Sequence, residues 1–153
     1  MIAMSEMMIL LKPNDSMGKK EYNGYASLRE AVDGNISYFH QAVVETTSGR
    51  RLNFDMICND EFLISEDEQF QKVNAFASMM SGQEIRGTVA ILVDCGDGEN
   101  RGFYDSSVYS ECEDAMKVFQ HFFESHREEI QKLHKKFDGN KSEPRFEIHP
   151  FGT

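Results

Sequence analysis

Few residues of this chain are placed to do chemistry. The densest group is Cys58-Asn59-Asp60-Glu61, a thiol, an amide and two carboxylates in consecutive positions. A cysteine attacks as its thiolate, which a neighbouring base or positive field must favour by lowering the pKa. Asp60 and Glu61 do the reverse, so covalent catalysis by Cys58 is disfavoured. Two readings of the group remain. In the first it is a strand end that turns on Asn59 and Asp60, whose side chains bond their own backbone. In the second it is a polar cluster at a sheet edge that contacts a ligand or a partner. The turn is the simpler reading. The second gives the candidate binding residues Cys58, Asn59, Asp60 and Glu61, joined downstream by the acidic triplet Glu66, Asp67 and Glu68.

Other constellations point away from catalysis. His121, His126 and His134 stand five and eight positions apart, whereas two metal ligands on one helix need a separation of three or four. His126 reads as a core or boundary imidazole. Gly96-Asp97-Gly98-Glu99-Asn100 lacks the spacing of a calcium loop, and no Lys-Ser/Thr follows its glycines as a phosphate loop requires. It reads as a surface turn. There is no nucleophile elbow for a Ser-His-Asp arrangement. The sequence therefore assigns no catalytic residue, no metal ligand and no cofactor. Cys58, Cys95 and Cys112 are an odd number without paired spacing, which argues for reduced, mostly buried thiols and against a disulfide framework.

Charge is unevenly placed. Residues 1–57 hold six basic and seven acidic side chains, residues 58–114 three against thirteen, and residues 115–153 seven against six. The whole net charge of -10 thus belongs to the middle third. Direct nucleic-acid binding through a basic patch is disfavoured. An acidic middle either keeps the protein soluble or meets a basic partner. No apolar run reaches the roughly 18 residues that span a bilayer, and residues 1–11 lack the basic start and cleavage site of a secretory signal. The simplest expectation is a cytoplasmic protein.

The elements that must position these residues follow from periodicity. Met7-Met8-Ile9-Leu10-Leu11 reads as a strand closed by Lys12-Pro13, and residues 16–25 as a polar loop. Residues 27–32 read as a short helix capped by Ser27 with Glu30 three positions on, and Gly34 as its left-handed exit. Residues 36–47 and 51–59 form an antiparallel pair across a hairpin at 47–50. In the second strand Leu52, Phe54, Met56 and Cys58 share one face, with Ile57 the exception. Residues 66–80 form either a helix after a Ser65/Glu68 capping box or a partly irregular segment. Residues 88–93 are apolar throughout, the pattern of a strand covered on both faces. After a Ser110/Glu113 capping box, one long helix runs to about residue 137, with Cys112, Ala115, Phe119, Phe122, His126, Ile130, Leu133 and Phe137 as its seam.

Three patches occur in the order Leu28-Arg29-Glu30-Ala31-Val32-Asp33-Gly34-Asn35-Ile36, Ile57-Cys58-Asn59-Asp60-Glu61 and Ile85-Arg86-Gly87-Thr88-Val89-Ala90-Ile91. This order resembles a family of small proteins known only as a domain of unknown function, often encoded by phages and other mobile elements. In that family a Leu-x-x-x-Val-Gly-Gly-like patch precedes a Cys-Asn-Glu-like one, and an Ile-x-Gly-Thr patch comes later. This chain departs at Asp33, where glycine is usual, and at Asp60, where glutamate is usual. Asn74 is only a loose match to the Asn-Arg pair that commonly follows the second patch. The similarity covers about residues 9–93. It implies an intracellular protein with no assigned activity, and it carries over no catalytic residues.

The expected fold is one α+β domain over residues 1–140, a mixed and mainly antiparallel sheet backed by a long C-terminal helix. Residues 141–153 form a tail that is either an edge strand or loose. The leading functional expectation is a non-enzymatic binding or regulatory protein that meets a basic protein partner, with no direct nucleic-acid or membrane contact. One form of it is interference with a host DNA-binding protein by resembling DNA. The alternative is an enzyme or small-ligand receptor with a polar site near Asn59 and Glu61. Because neither zinc-ligand spacing nor paired cysteines are present, the melting temperature should be unchanged by chelator and by reductant. A large drop with either reagent would contradict this reading.

Overall fold

A strand that is apolar at every position needs cover on both faces, and the run from Val89 to Val93 obtains it. The computed structural model describes residues 4–138 and 147–149. Along the chain lie β1 (Ser5–Leu11), β2 (Ser16–Glu21), α1 (Tyr25–Val32), β3 (Ile36–Glu45), β4 (Arg51–Asn59), α2 (Ala75–Ser81), β5 (Val89–Gly96), β6 (Glu99–Arg101), β7 (Phe103–Asp105), α3 (Glu111–Ser125), α4 (Arg127–Asp138) and β8 (Glu147–His149). The sheet runs β3-β4-β5-β1-β2-β8, with β6 on β5 and β7 on β1. Every pairing is antiparallel except β2 with β8. This is a single α+β domain with a mostly antiparallel sheet, as the sequence pattern predicts.

β5 sits between β4 and β1, so its alternating side chains supply two cores. Val89, Ile91 and Val93 join Phe54, Met56 and Ile9 beneath α2, α3 and α4. Ala90 and Leu92 face the other way and meet Met8, Leu10, Ile57, Leu28 and Val32 under α1. Ile57 thus belongs to a second, smaller core, which is why it breaks the alternation of β4. Aromatic edges set the larger core: Phe119 meets Phe54 with ring centroids 5.3 Å apart, and Phe123 meets Phe76 at 5.4 Å.

Glu111 anchors α3. Its carboxylate is wholly buried yet fully engaged, with Arg101 Nη1 and Nη2 donating at 2.7 and 3.3 Å and the Tyr104 amide donating at 3.2 Å. Arg50, in the β3–β4 turn, adds an ion pair at 3.3 Å. Burial alone would lower the Arg101 pKa, but the hydrogen bond to Glu111 and its charge raise it further. Ser110 caps the helix by accepting from the Glu113 amide at 3.0 Å, as its spacing predicts. A second buried link joins α4 to the β1–β2 turn, where His134 Nε2 lies 2.8 Å from Asp15 Oδ2.

Several expectations are corrected. Residues 16–21 form a strand and not a loop. Met17 alone supplies an apolar inward side chain, while Lys19 answers Asp105 and Glu113 at 2.8 and 3.1 Å. Ser27 does not cap α1; its hydroxyl donates to the Gly24 carbonyl one turn back and accepts from the Asn23 amide. The left-handed exit falls on Asp33 at φ 59°, with Gly34 following at φ 146°. The segment 66–80 is a short 3-10 turn (Glu68–Phe70) capped by Asp67, and then α2 capped by Asn74, whose side chain accepts from the Ala77 amide. Ser65 caps neither.

The long helix is two helices. His126 leaves helical geometry, with its amide shared between the Phe122 and Phe123 carbonyls and its Nδ1 also 2.9 Å from the Phe122 oxygen. This local bonding competes with propagation of the helix. Within α3 the buried face is Cys112, Ala115, Met116, Phe119 and Phe123, so Phe123 is fully buried and Phe122 is 37% exposed. In the tail, Glu147–His149 pairs with β2 at the sheet edge; Phe146 and Pro150 lie outside the described residues.

The seam is testable. Phe123→Ala should cost about 3–5 kcal/mol, the range for truncating a buried aromatic side chain. Phe122→Ala should cost well under half of that, since water already reaches the ring. Urea denaturation of the two variants measures the difference, and equal losses would place the seam wrongly.

Candidate functional site

Two polar clefts flank the outer face of the sheet, one where β4 ends and one beside Asp55 at the middle of β4 and the β5–β6 turn. The first forms where β4 ends and α1 stops. Asn59 is buried there, donating from Nδ2 to the Val32 and Asp33 carbonyls at 3.2 and 2.9 Å and accepting at Oδ1 from the Glu61 amide at 2.7 Å. One side chain thereby closes the C-terminus of α1 and opens the turn after β4. Gly34 is required beside it: a Cβ at that position would stand 2.7 Å from Asn59 Nδ2. Around these groups lies a cleft of about 260 Å³ lined by Arg29, Asp33, Asn35, Asn59, Glu61 and Asp67, among others. Gln69 closes one side by donating to Asp33 Oδ2 at 2.7 Å.

The structure brings some of the candidate residues together and separates others. Asn59, Glu61 and Asp67 line this cleft. Asp60, Glu66 and Glu68 are exposed nearby but do not line it. Cys58 faces the larger core on the other side of the sheet, because adjacent side chains on a strand point to opposite faces. Burial, and secondarily the charge of Asp60, pushes its thiol up to about 11. Cys112 is pushed up to about 12, chiefly by burial. Neither is a nucleophile near neutral pH. Cys95 is exposed.

The second cleft was not anticipated from sequence. It measures about 330 Å³ and is lined by Tyr38, Gln41, Asp55, Asp94, Asp97 and Asn100, with Gly96 and Gly98. Two irregularities assemble it. Tyr38 pairs with Ile57 and His40 with Met56, so Phe39 is an extra residue in β3. That bulge puts Tyr38 and Gln41 on one face although an odd number of positions separates them. A second bulge at Cys95 brings Asn100 opposite Asp94. A chain of bonds crosses the floor: the Tyr38 hydroxyl donates to Asn100 Oδ1 at 2.8 Å, and Asn100 Nδ2 donates to Asp55 Oδ2 at 2.7 Å and to the Val93 carbonyl at 3.1 Å. Burial, then the charge of Asp55, raises the Tyr38 pKa, so its hydroxyl is a donor at neutral pH.

The fold also redistributes the acidic middle. Of its thirteen carboxylates, Glu84, Asp105, Glu111 and Glu113 enter ion pairs with Arg86, Lys19, Arg101 and Arg50. Asp114 instead accepts hydrogen bonds from Thr47 and Tyr109. The remaining eight enter none of the ion pairs among the described residues. Because β4 and β5 run antiparallel with Phe54 beside Val93 and Ile57 beside Ala90, they fall at opposite ends of the sheet. Asp60, Glu61, Glu66, Asp67 and Glu68 follow β4; Asp94, Asp97 and Glu99 lie at the β5–β6 turn. Among the described residues no group of three or more His, Cys, Asp or Glu side chains could hold a metal ion. No helix is long and apolar enough to cross a membrane. The chain matches no family model, no curated protein and no solved structure.

The raised thiols predict an alkaline limit. Both have an ordinary value of 9.0 and a higher folded one, so the folded state keeps these protons after the unfolded chain has lost them. The thiols' contribution is therefore intact below pH 9 and lost as pH rises toward the folded values of about 11 and about 12. Urea denaturation between pH 8 and 10.5 should show falling stability, and the Cys58→Ala/Cys112→Ala double variant should show a flatter profile. An unchanged profile would remove the thiols as its cause.

Proposed function

We propose that this protein is a non-enzymatic binding protein that engages a basic partner through its two carboxylate-lined clefts. The observation that carries the reading is where the fold leaves charge uncompensated. It spends lysines and arginines on Asp105, Glu111 and Glu113, and among the described residues the carboxylates around both clefts have no such partners, apart from Arg29 at the first. A negative potential concentrated at a cleft attracts and orients a cation, raising the association rate. The Cys58 and Cys112 thiols are insulated by burial, and the Asn59 amide is committed to neighbouring backbone. These features support binding ahead of a reaction near Asn59 and Glu61. A DNA-binding protein is one partner of suitable charge.

Because the unpaired carboxylates occupy two ends of the sheet, a partner held by both must span them. The test uses a partner captured from cell extract and then purified. Its association rate should fall steeply as salt rises, since screening shortens the field to about 8 Å at physiological ionic strength. The Glu66→Gln/Asp67→Asn/Glu68→Gln triple variant should slow association more than it speeds dissociation. A complex insensitive to salt and to the triple change would show that the acidic residues serve solubility alone.

A further inference from the structure

Among the described residues three carboxylates are buried, and they are treated differently. Asp15, in the β1–β2 turn, has His134 Nε2 2.8 Å from its Oδ2 and no hydrogen-bond partner at Oδ1. The other two contrast more sharply. Glu111 is met by two arginines and a backbone amide. Asp55 is 4% exposed, receives one neutral amide bond at Oδ2, and has no hydrogen-bond partner at Oδ1. No lysine, arginine or histidine is among the residues lining its cleft. An ionised carboxylate out of water is costly unless it is paired. Asp55 is therefore a buried carboxyl group with one unpartnered oxygen, at the floor of an open cleft whose rim carries Asp94 and Asp97.

We infer that the cleft of Tyr38, Gln41, Asp55, Asp94, Asp97 and Asn100 receives one organic cation, the ammonium or guanidinium head of a side-chain-sized group, with Asp55 as its counter-ion. The inference rests on the binding function proposed above and assigns the point at which a positive group is held. The donor set favours an N–H cation over a metal ion: no group of three or more His, Cys, Asp or Glu side chains among the described residues is arranged to hold a metal ion, while carboxylates accept charge-assisted N–H bonds readily. A volume of about 330 Å³ suits a side-chain head, being near the lower limit of small-molecule pockets. Asp55 Oδ1 is screened from water. The entering group reaches it by displacing the Tyr38–Asn100 link, whose two side chains are part-exposed. The displaced hydroxyl and amide then face solvent, and the Tyr38 ring remains as a wall for the alkyl stem.

The test is an NMR titration of the full chain with n-butylammonium and n-butylguanidinium at constant ionic strength. Saturable shifts are expected at the Asn100 side-chain amide and at the Gln41, Asp55 and Asp94 backbone amides. Asp55→Asn, which keeps the side chain's shape, should weaken binding about tenfold, the equivalent of one charge-assisted hydrogen bond. Its melting temperature should be unchanged or higher, because a buried charge has been removed. Should that variant fail to fold, Asp97→Asn on the exposed turn should weaken binding about twofold, as expected for a rim charge. Shifts reproduced by sodium chloride at the same concentration, or equal affinity in Asp55→Asn, would overturn the site. Tighter binding of a blocked arginine or lysine peptide than of spermidine would identify a protein side chain as the source. The reverse order would identify a free amine, and either order upholds the site. If the probes saturate while partner association is insensitive to salt, the basic-partner function fails and the site stands. Salt-sensitive association with no probe saturation removes the site alone.

Discussion

A mismatch of lengths governs the outer face of this protein. β4 has nine residues and spans about 30 Å at the rise of a strand. α1, the helix laid across it, has eight residues and spans only about 12 Å. The helix can therefore cover Ile57, Ala90 and Leu92 but not the whole face. What lies past its ends must be polar, and both clefts are found there. Asn59 and Gly34 manage the end where α1 stops; Tyr38, Asp55 and Asn100 manage the end where it begins. On the inner face α2, α3 and α4 together cover the sheet. The position of the polar sites is thus set by packing before any chemistry is considered.

The inner face makes the opposite use of charge. Glu111 lies at the first turn of α3, where a negative group complements the helix dipole, and it gathers Arg101 from β6, Arg50 from the β3–β4 turn and the Tyr104 amide from β7. Three successive elements and one distant turn meet at one carboxylate. Removing Arg101 would take the bidentate partner from the wholly buried Glu111 carboxylate, which is the costly way to break such a cluster. The arrangement sets the register of short strands that have little apolar surface of their own. It also explains why a segmental count of charge overstates the acidity of the surface: part of the middle third's excess is neutralised by Lys19 and Arg50 from the first third.

The parts of the fold legible in sequence are those where one periodicity dominates. The alternation of β4 and the unbroken apolar run of β5 identify two neighbouring central strands, and their contrast already implies cover on both sides. β2 was not legible because a strand near the sheet edge, anchored by Met17 and by lysine–carboxylate pairs, has no alternation to show. The division of α3 from α4 was not legible because the apolar spacing continues across it; only the backbone at His126 departs from the helix. At the first cleft the polar turn residues were visible, but the partners of Asn59 come from α1 and could not be read locally. The second cleft left a trace. Ile57 breaks the alternation because the outer face is buried there, and Asp55, two positions earlier on that face, is a charge where the pattern leads into a core. Its neighbours depend on two bulges, and one extra residue in a strand has no signature in a single sequence.

The comparison of Glu111 with Asp55 bears on how function is separated from stability in this chain. Both are carboxylates on or against the same sheet, and both are deprived of water. The fold shows at Glu111 that it can neutralise such a group, with two guanidinium ions and an amide. At Asp55 it supplies only the Asn100 amide, and it holds that amide in turn by a tyrosine hydroxyl that solvent can reach. A residue kept against a stability cost is most readily understood when the cost is removed by binding, because a ligand favours the folded state in proportion to its occupancy. An asparagine at position 55 would keep the shape and relieve the charge. Its hydrogen bonds would tie the floor to Asn100 without any field at the mouth of the cleft. The aspartate adds that field, together with the acceptor that has no partner, and both act on whatever cation approaches from outside.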